Sequence, residues 1–242
     1  MESNKRQLQR NDVTTWFLDN QIIMKIQNSV FLVTGGASDD YGRATVEKLL
    51  KEGAKVIICD SPTKDLNIYA DDKAIFLPIN INDDKDTKIL AEIIEEKYGR
   101  LDGVVNCIDV YKSIPHSLEE VSTIVHDNIL GPYNIITCTI PLISKNIPKK
   151  SSGRGIIINM SNGAAFDGMC PYAASKNAVI KMTECLNFEL QGIQIRSVAI
   201  VTNHRKHGIN AAAEDIQKFV EMVKTVIEMP IGMSSPVIRV ES

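Results

Sequence analysis

The sequence predicts an α/β protein, built as a single doubly wound parallel sheet of about seven strands with helices on both faces. Three observations carry this. Seven short apolar runs, rich in β-branched residues, are apolar throughout instead of alternating, as strands buried on both faces are. Amphipathic segments of helical period lie between most of them, and parallel neighbours need such crossover connections. No internal repeat, low-complexity stretch or linker divides the 242 residues, so one domain is expected over 29–242, preceded by an arm, 1–28.

In chain order, the runs are Ser29–Thr34, Ala54–Asp60, Ala74–Ile79, Leu101–Cys107, Gly155–Ser161, Ile193–Ile200 and Pro236–Val240. The helical patterns are Gly42–Glu52, Asp84–Tyr98, Leu118–Lys145, Tyr172–Leu190 and Ala211–Glu228. In the arm, TTWFLDNQIIMKI patterns as an amphipathic helix with Trp16, Phe17, Ile22, Ile23 and Ile26 on its apolar side. Packing of this arm on its own domain is the plainer reading, and anchoring of a partner the other.

Composition excludes several classes. A net charge of −3 argues against a dominant nucleic-acid footprint. No apolar run approaches the roughly 20 residues that cross a bilayer. Cys59, Cys107, Cys138, Cys170 and Cys185 are odd in number and lack a C-x-x-C spacing, which points to reduced thiols inside a cell and to no metal site. The match Asn159-Met160-Ser161 then carries no glycan. Acidic residues at Glu2, Asp12 and Asp19 weaken an organelle leader, leaving cytoplasm and mitochondrion both open.

Ligands of such sheets bind beyond the carboxyl ends of the strands, so residues just after each run are the site candidates. Gly35-Gly36 follows the first run and Gly42 opens a helix, a turn through which backbone N–H groups can approach a diphosphate. Asp60 ends the second run, where a carboxylate can accept from ribose hydroxyls and repel a 2′-phosphate; a turn or cap role is equally open. Ser161 ends the fifth run, and Tyr172 and Lys176 follow, one helical turn apart on one face. A phenol ordinarily titrates near 10, and an adjacent ammonium favours the phenolate that proton transfer at neutral pH needs. Ser161 could donate to the same substrate oxygen.

Taken together, TGGAS (34–38), YGRLDGVVNC (98–107), DNILGPYNII (127–136), GRGIIINMSNGAAFDG (153–168), YAASKNAVIKMT (172–183) and VIRV (237–240) resemble the short-chain dehydrogenase/reductase family. Within it, they are similar to the branch acting on 3-hydroxyacyl-CoA and hydroxysteroids. The resemblance runs from about Ser29 to Val240 and implies a Rossmann fold. By position it assigns Tyr172 as acid/base, Lys176 as its pKa-lowering and ribose-binding neighbour, Ser161 as carbonyl donor and Asn128 as support of a proton relay. It implies cofactor positions at Gly35, Ser38, Gly42, Asp60, Asn80, Ile81, Asn106, Tyr172 and Lys176, and NAD in preference to NADP. The implied reaction interconverts a secondary alcohol and a ketone. Members commonly form dimers or tetramers through the helices matching Leu118–Lys145 and Tyr172–Leu190.

The chain departs from the family pattern at defined places. Asp39 stands where T-G-x-x-x-G-x-G has its middle glycine, and the last glycine arrives one residue late as Gly42. Asp109 replaces the glycine of N-x-A-G, Asn80 an acidic residue, and Ile200-Val201 a Pro-Gly. Ser161 and Tyr172 are two residues closer than in the branch, and the substrate lid shortens to TNHRKHGIN (202–210), with a basic cluster over His204–His207. Two functional readings therefore stand: an NAD-dependent oxidoreductase with a rebuilt cofactor turn, or a catalytically impaired dehydrogenase-like subunit that serves as a partner-binding scaffold.

Overall fold

The computed structural model describes residues 24–61, 72–112, 115–150, 152–163, 170–202, 212–233 and 235–240. Seven parallel strands form one sheet in the order β3-β2-β1-β4-β5-β6-β7: β1 Val30–Thr34, β2 Lys55–Asp60, β3 Ala74–Pro78, β4 Gly103–Asn106, β5 Gly155–Asn162, β6 Ile195–Thr202 and β7 Val237–Arg239. The helices are α1 Asp40–Lys51, α2 Asp84–Tyr98, α3 Leu118–Val125, α4 Gly131–Ser144, α5 Cys170–Glu189 and α6 Ala213–Glu228.

The expected sheet is present, and its central strands are apolar because both faces are covered. On one side Phe31, Val33, Ile58 and Ile158 pack with Leu49 of α1 and Phe219 and Val223 of α6. On the other, Leu32, Ile57, Val104 and Ile157 meet Leu90 of α2 and Ile135 and Ile136 of α4. Of the arm, Met24 and Ile26 are buried against the first of these layers, in irregular backbone; the rest of its expected helix lies outside the described residues. The basic cluster His204–His207 lies outside them too.

One helical expectation is corrected. Leu118–Lys145 is not one continuous α-helix: a π-helical turn, His126–Leu130, separates α3 from α4. Pro132 has no N–H to return to the carbonyl of residue 128, so regular pairing fails at this junction.

The sheet order reverses between β1 and β4, and the ends of these strands are tied together by side chains. Thr34 Oγ1 donates to Asn106 Oδ1 (3.3 Å), Asn106 Nδ2 to Asn159 Oδ1 (2.8 Å) and Asn159 Nδ2 to Thr183 Oγ1 (2.9 Å). This buried chain links β1, β4, β5 and α5. At the opposite edge of the core, Arg196 donates to the carbonyls of Val226 and Ile227 at the end of α6, and burial lowers its pKa to about 10.

Candidate active site

The turn after β1 keeps the glycine geometry. Gly35 has φ +70°, and a Cβ there would lie 3.1 Å from the backbone nitrogen of Ile108 across the switch point. A Cβ on Gly42 would stand 2.3 Å from the carbonyl oxygen of Gly35, so helix and turn approach as closely as the late glycine allows. The inserted residue is absorbed by Tyr41, whose ring is buried edge-on against Phe219 at 5.1 Å.

Asp39 is the N-cap of α1: its Oδ1 accepts from the backbone N–H of Tyr41 (2.9 Å) and Gly42 (3.4 Å). These are donors a helix otherwise offers to an anion at its positive end. Asp60 is buried at the end of β2 and accepts from Ala37 N–H (3.0 Å), Ser38 Oγ (2.8 Å) and Ser61 N–H (2.8 Å). It thereby fastens the glycine turn to its neighbouring strand. A cavity of about 480 Å³ opens beside these groups, bordered by Ser38, Asp39, Asp60, Ile81, Asp109 and Asp127, with Asn80 at its rim. No lysine, arginine or histidine lines it among the described residues.

At the other end of the switch point, α5 holds Tyr172 and Lys176 fully buried on one face, as their spacing predicts. Asp109 reaches both. Its carboxylate lies 3.0 Å from Lys176 Nζ and accepts from Tyr172 Oη at 3.1 Å, and the side chains of the ion pair are 1% and 3% exposed. The backbone around Asp109 closes over the same helix. Lys176 Nζ also donates to the Ile108 carbonyl (3.4 Å), and the Tyr111 ring stacks edge-on to Tyr172 at 5.2 Å. Asn128, in the π turn, donates to the Val110 carbonyl (2.9 Å) and accepts from Val110 N–H (2.8 Å). Its amide also donates to Ser175 Oγ (3.0 Å), so one side chain joins the segment after β4 to α5.

The structure thus brings Asn128, Tyr172 and Lys176 into one assembly, with Asp109 at its centre. Ser161 lies at the end of β5 close by, but its hydroxyl donates to the Lys176 carbonyl at 2.8 Å, an internal partner and not a substrate-facing one. Asn106 has both ends of its side-chain amide engaged in the chain between β1 and β5, where it braces the sheet. Gly42 likewise serves helix–turn packing. Asn80 caps its own turn, accepting from Asn82 N–H, while Ile81 is buried below the cavity and touches Gly131. Sequence reasoning registered Asp39 and Asp109 as lost glycines but missed what they bind. An aspartate immediately before a helix is an N-cap signal that was there to be read; the Asp109 contacts span 63 residues and leave no local trace.

A dinucleotide's adenosine end finds suitable groups in Asp60, Ser38 and Ile81. Its diphosphate would meet N–H groups already taken by Asp39, and its second ribose would meet a lysine already paired with Asp109. As arranged, the residues do not fit a whole nicotinamide dinucleotide.

A family model described as short chain dehydrogenase matches residues 29–217. The 3-hydroxyacyl-CoA dehydrogenase type-2 of Drosophila melanogaster is 38% identical over 191 residues, covering 72% of this chain and 74% of the relative. Ipsdienol dehydrogenase of Ips pini is 33% identical over 192 residues, covering 74% and 75%. A short-chain dehydrogenase structure from Mycobacterium smegmatis superposes with a TM-score of 0.78 at 21% identity, over 90% of this chain and 93% of that one, a likeness of fold. With the seven-stranded sheet, the glycine turn and the Tyr172/Lys176 face all in place, the chain belongs to the short-chain dehydrogenase family of oxidoreductases.

Proposed function

We propose that the chain is an oxidoreductase of secondary alcohols and their ketones whose site rests closed by Asp109. The observation that carries this reading is the buried Tyr172–Asp109–Lys176 contact: the phenol and ammonium that would serve a substrate oxygen are present, adjacent and held by an internal carboxylate. Opening requires Asp109 to leave Lys176 and Tyr172, so that Tyr172 can exchange a proton with a hydroxyl or carbonyl oxygen. Asn128 keeps the segment carrying Asp109 docked on α5. The relatives' names support a 3-hydroxyacyl-CoA or another small secondary alcohol as substrate; a hydroxysteroid rests on the resemblance carried by the sequence motifs. The carboxylate of Asp60 at the end of β2 supports NAD over NADP.

The test is oxidation of 3-hydroxybutyryl-CoA, and of a hydroxysteroid, with millimolar NAD. Turnover that vanishes in Tyr172→Phe while the fold is kept supports the reading. No turnover even in Asp109→Gly, where the closing carboxylate is gone, overturns it and leaves the second reading, an impaired subunit acting as a scaffold. That second reading is favoured by Asp39, whose carboxylate puts negative charge where the family binds phosphate.

Self-association through α4 and α5 is part of the proposal, supported by exposed Leu130, Tyr133 and Phe188 on the helices or at their edges. An intracellular setting, cytoplasmic or mitochondrial, is supported by five free cysteines. Among the described residues, no helix is long and apolar enough to cross a membrane.

A further inference from the structure

We infer that Asp39 and Asp109 are built-in substitutes for a nucleotide, two carboxylates occupying the contacts that a dinucleotide's anionic and hydroxyl oxygens make in this fold. The inference rests on the closed-site reading but concerns binding and stability, not turnover.

The two substitutions act at the two separate places where the ligand's polar backbone should touch the protein. At the first, α1 needs its leading N–H groups satisfied, and Asp39 Oδ1 accepts from Tyr41 and Gly42. A glycine at position 39 would leave those donors to an external anion. At the second, Lys176 is 1% exposed, and a buried ammonium needs a counter-charge or dense hydrogen bonding. Asp109 supplies the charge at 3.0 Å, and the carbonyl of Ile108 adds an acceptor. Asn128 grips both backbone groups of Val110, the next residue, so the carboxylate is delivered by a fixed segment and not by a loose one.

The cavity between the two places agrees with this. It is bordered by Asp39, Asp60, Asp109 and Asp127, with no basic side chain among the described residues. A diphosphate entering it would meet like charge at each step and find no counter-ion. Each carboxylate is also held by named partners: Asp127, for instance, accepts from Asn82 Nδ2 at 2.5 Å. The folded state is therefore complete without a nucleotide, and a nucleotide has to compete with the chain's own side chains for the same donors.

The test uses the full chain with NADH as probe, read by nucleotide fluorescence for affinity and by thermal unfolding with and without about 1 mM NADH. Four proteins are compared: wild type, Asp39→Asn, Asp109→Gly and the double variant. Asparagine is as good an N-cap as aspartate, so Asp39→Asn removes charge while keeping the helix end satisfied. The expected result is no NADH-dependent shift in the wild type. Each single change should tighten NADH binding about tenfold or more, and the double variant should gain a clear ligand-dependent rise in unfolding temperature. If Asp109→Gly does not fold, Asp109→Asn takes its place with the same expectation.

Micromolar NADH binding by the wild type would overturn the inference, and so would a double variant that binds no more tightly than the wild type. Because neither readout needs a substrate, a failure here is distinct from a failure to find turnover.

Discussion

Removing Lys176 should cost this protein more in stability than in rate. Lys176 and Asp109 form a buried ion pair at 3.0 Å. At an effective dielectric near 20, their attraction is about 5–6 kcal/mol, set against the cost of taking both charges out of water. Lys176→Met leaves the Asp109 carboxylate buried without the Lys176 ammonium, while Tyr172 still donates to it. Losing one partner of such a pair costs about 3–5 kcal/mol. For a chain of 242 residues that is a fall of roughly 6–20 °C in unfolding temperature. Adding Asp109→Ala removes the stranded charge, so the double variant should recover about 2–4 kcal/mol relative to the sum of the single changes. Urea unfolding of the wild type, the two single variants and the double variant closes the cycle. A Lys176→Met cost below about 1 kcal/mol, or strict additivity, would refute the ion-pair reasoning.

Four further outcomes are expected. Gly42→Ala places a Cβ 2.3 Å from the Gly35 carbonyl oxygen, so a loss of about 2 kcal/mol or more, or failure to fold, should appear in chemical denaturation. Asn128→Ala strips Val110 of both backbone partners; the cost should be about 2–3 kcal/mol, and amide exchange should quicken at Val110 while β5 stays protected. Tyr133→Glu with Phe188→Glu should reduce the mass measured by light scattering to that of a single chain if α4 and α5 carry the contact, and no change in mass would rule this surface out.

The last outcome concerns pH. Burial holds the Cys138 thiol up at about 12 and raises those of Cys59 and Cys107 as well, from ordinary values near 9. A thiol raised in the folded state keeps a proton that the unfolded chain gives up. This contribution is therefore complete below pH 9 and is lost as pH rises toward the folded values. Unfolding titrations from pH 8 to 11 should show stability falling above about 9.

How much of this was legible in the sequence depends on the range of the interaction. The strands were readable because Phe31 to Val33, Ile57 to Cys59 and Ile156 to Ile158 are apolar on both faces, which is a local property. Tyr172 and Lys176 were readable because one helical turn fixes their common face. The π turn at His126–Leu130 was only half readable: Pro132 inside the helical pattern marks a disturbed junction but does not say that the chain widens there instead of stopping. Asp109 was visible as a missing glycine, yet a lost glycine looks like damage when its new partners lie far along the chain. Asn106 carried a family expectation, but its amide is committed to Thr34 and Asn159, and only the packed sheet reveals that.

That chain of side chains also has a direction. Every link hands its hydrogen the same way: the Thr34 hydroxyl to Asn106, the Asn106 amide to Asn159, the Asn159 amide to Thr183, and the Thr183 hydroxyl to the Val179 carbonyl. Such a row cannot be reversed at one point without a donor facing a donor or an acceptor facing an acceptor somewhere along it. Deamidation of Asn159, which changes a single atom group and hardly any volume, would remove the hydrogen that reaches Thr183 and force that hydroxyl to choose between Val179 and the new carboxylate. Chemical ageing at one interior asparagine would thus be felt at the helix that carries Tyr172 and Lys176, with no exposed mark of the change at Asn159 itself.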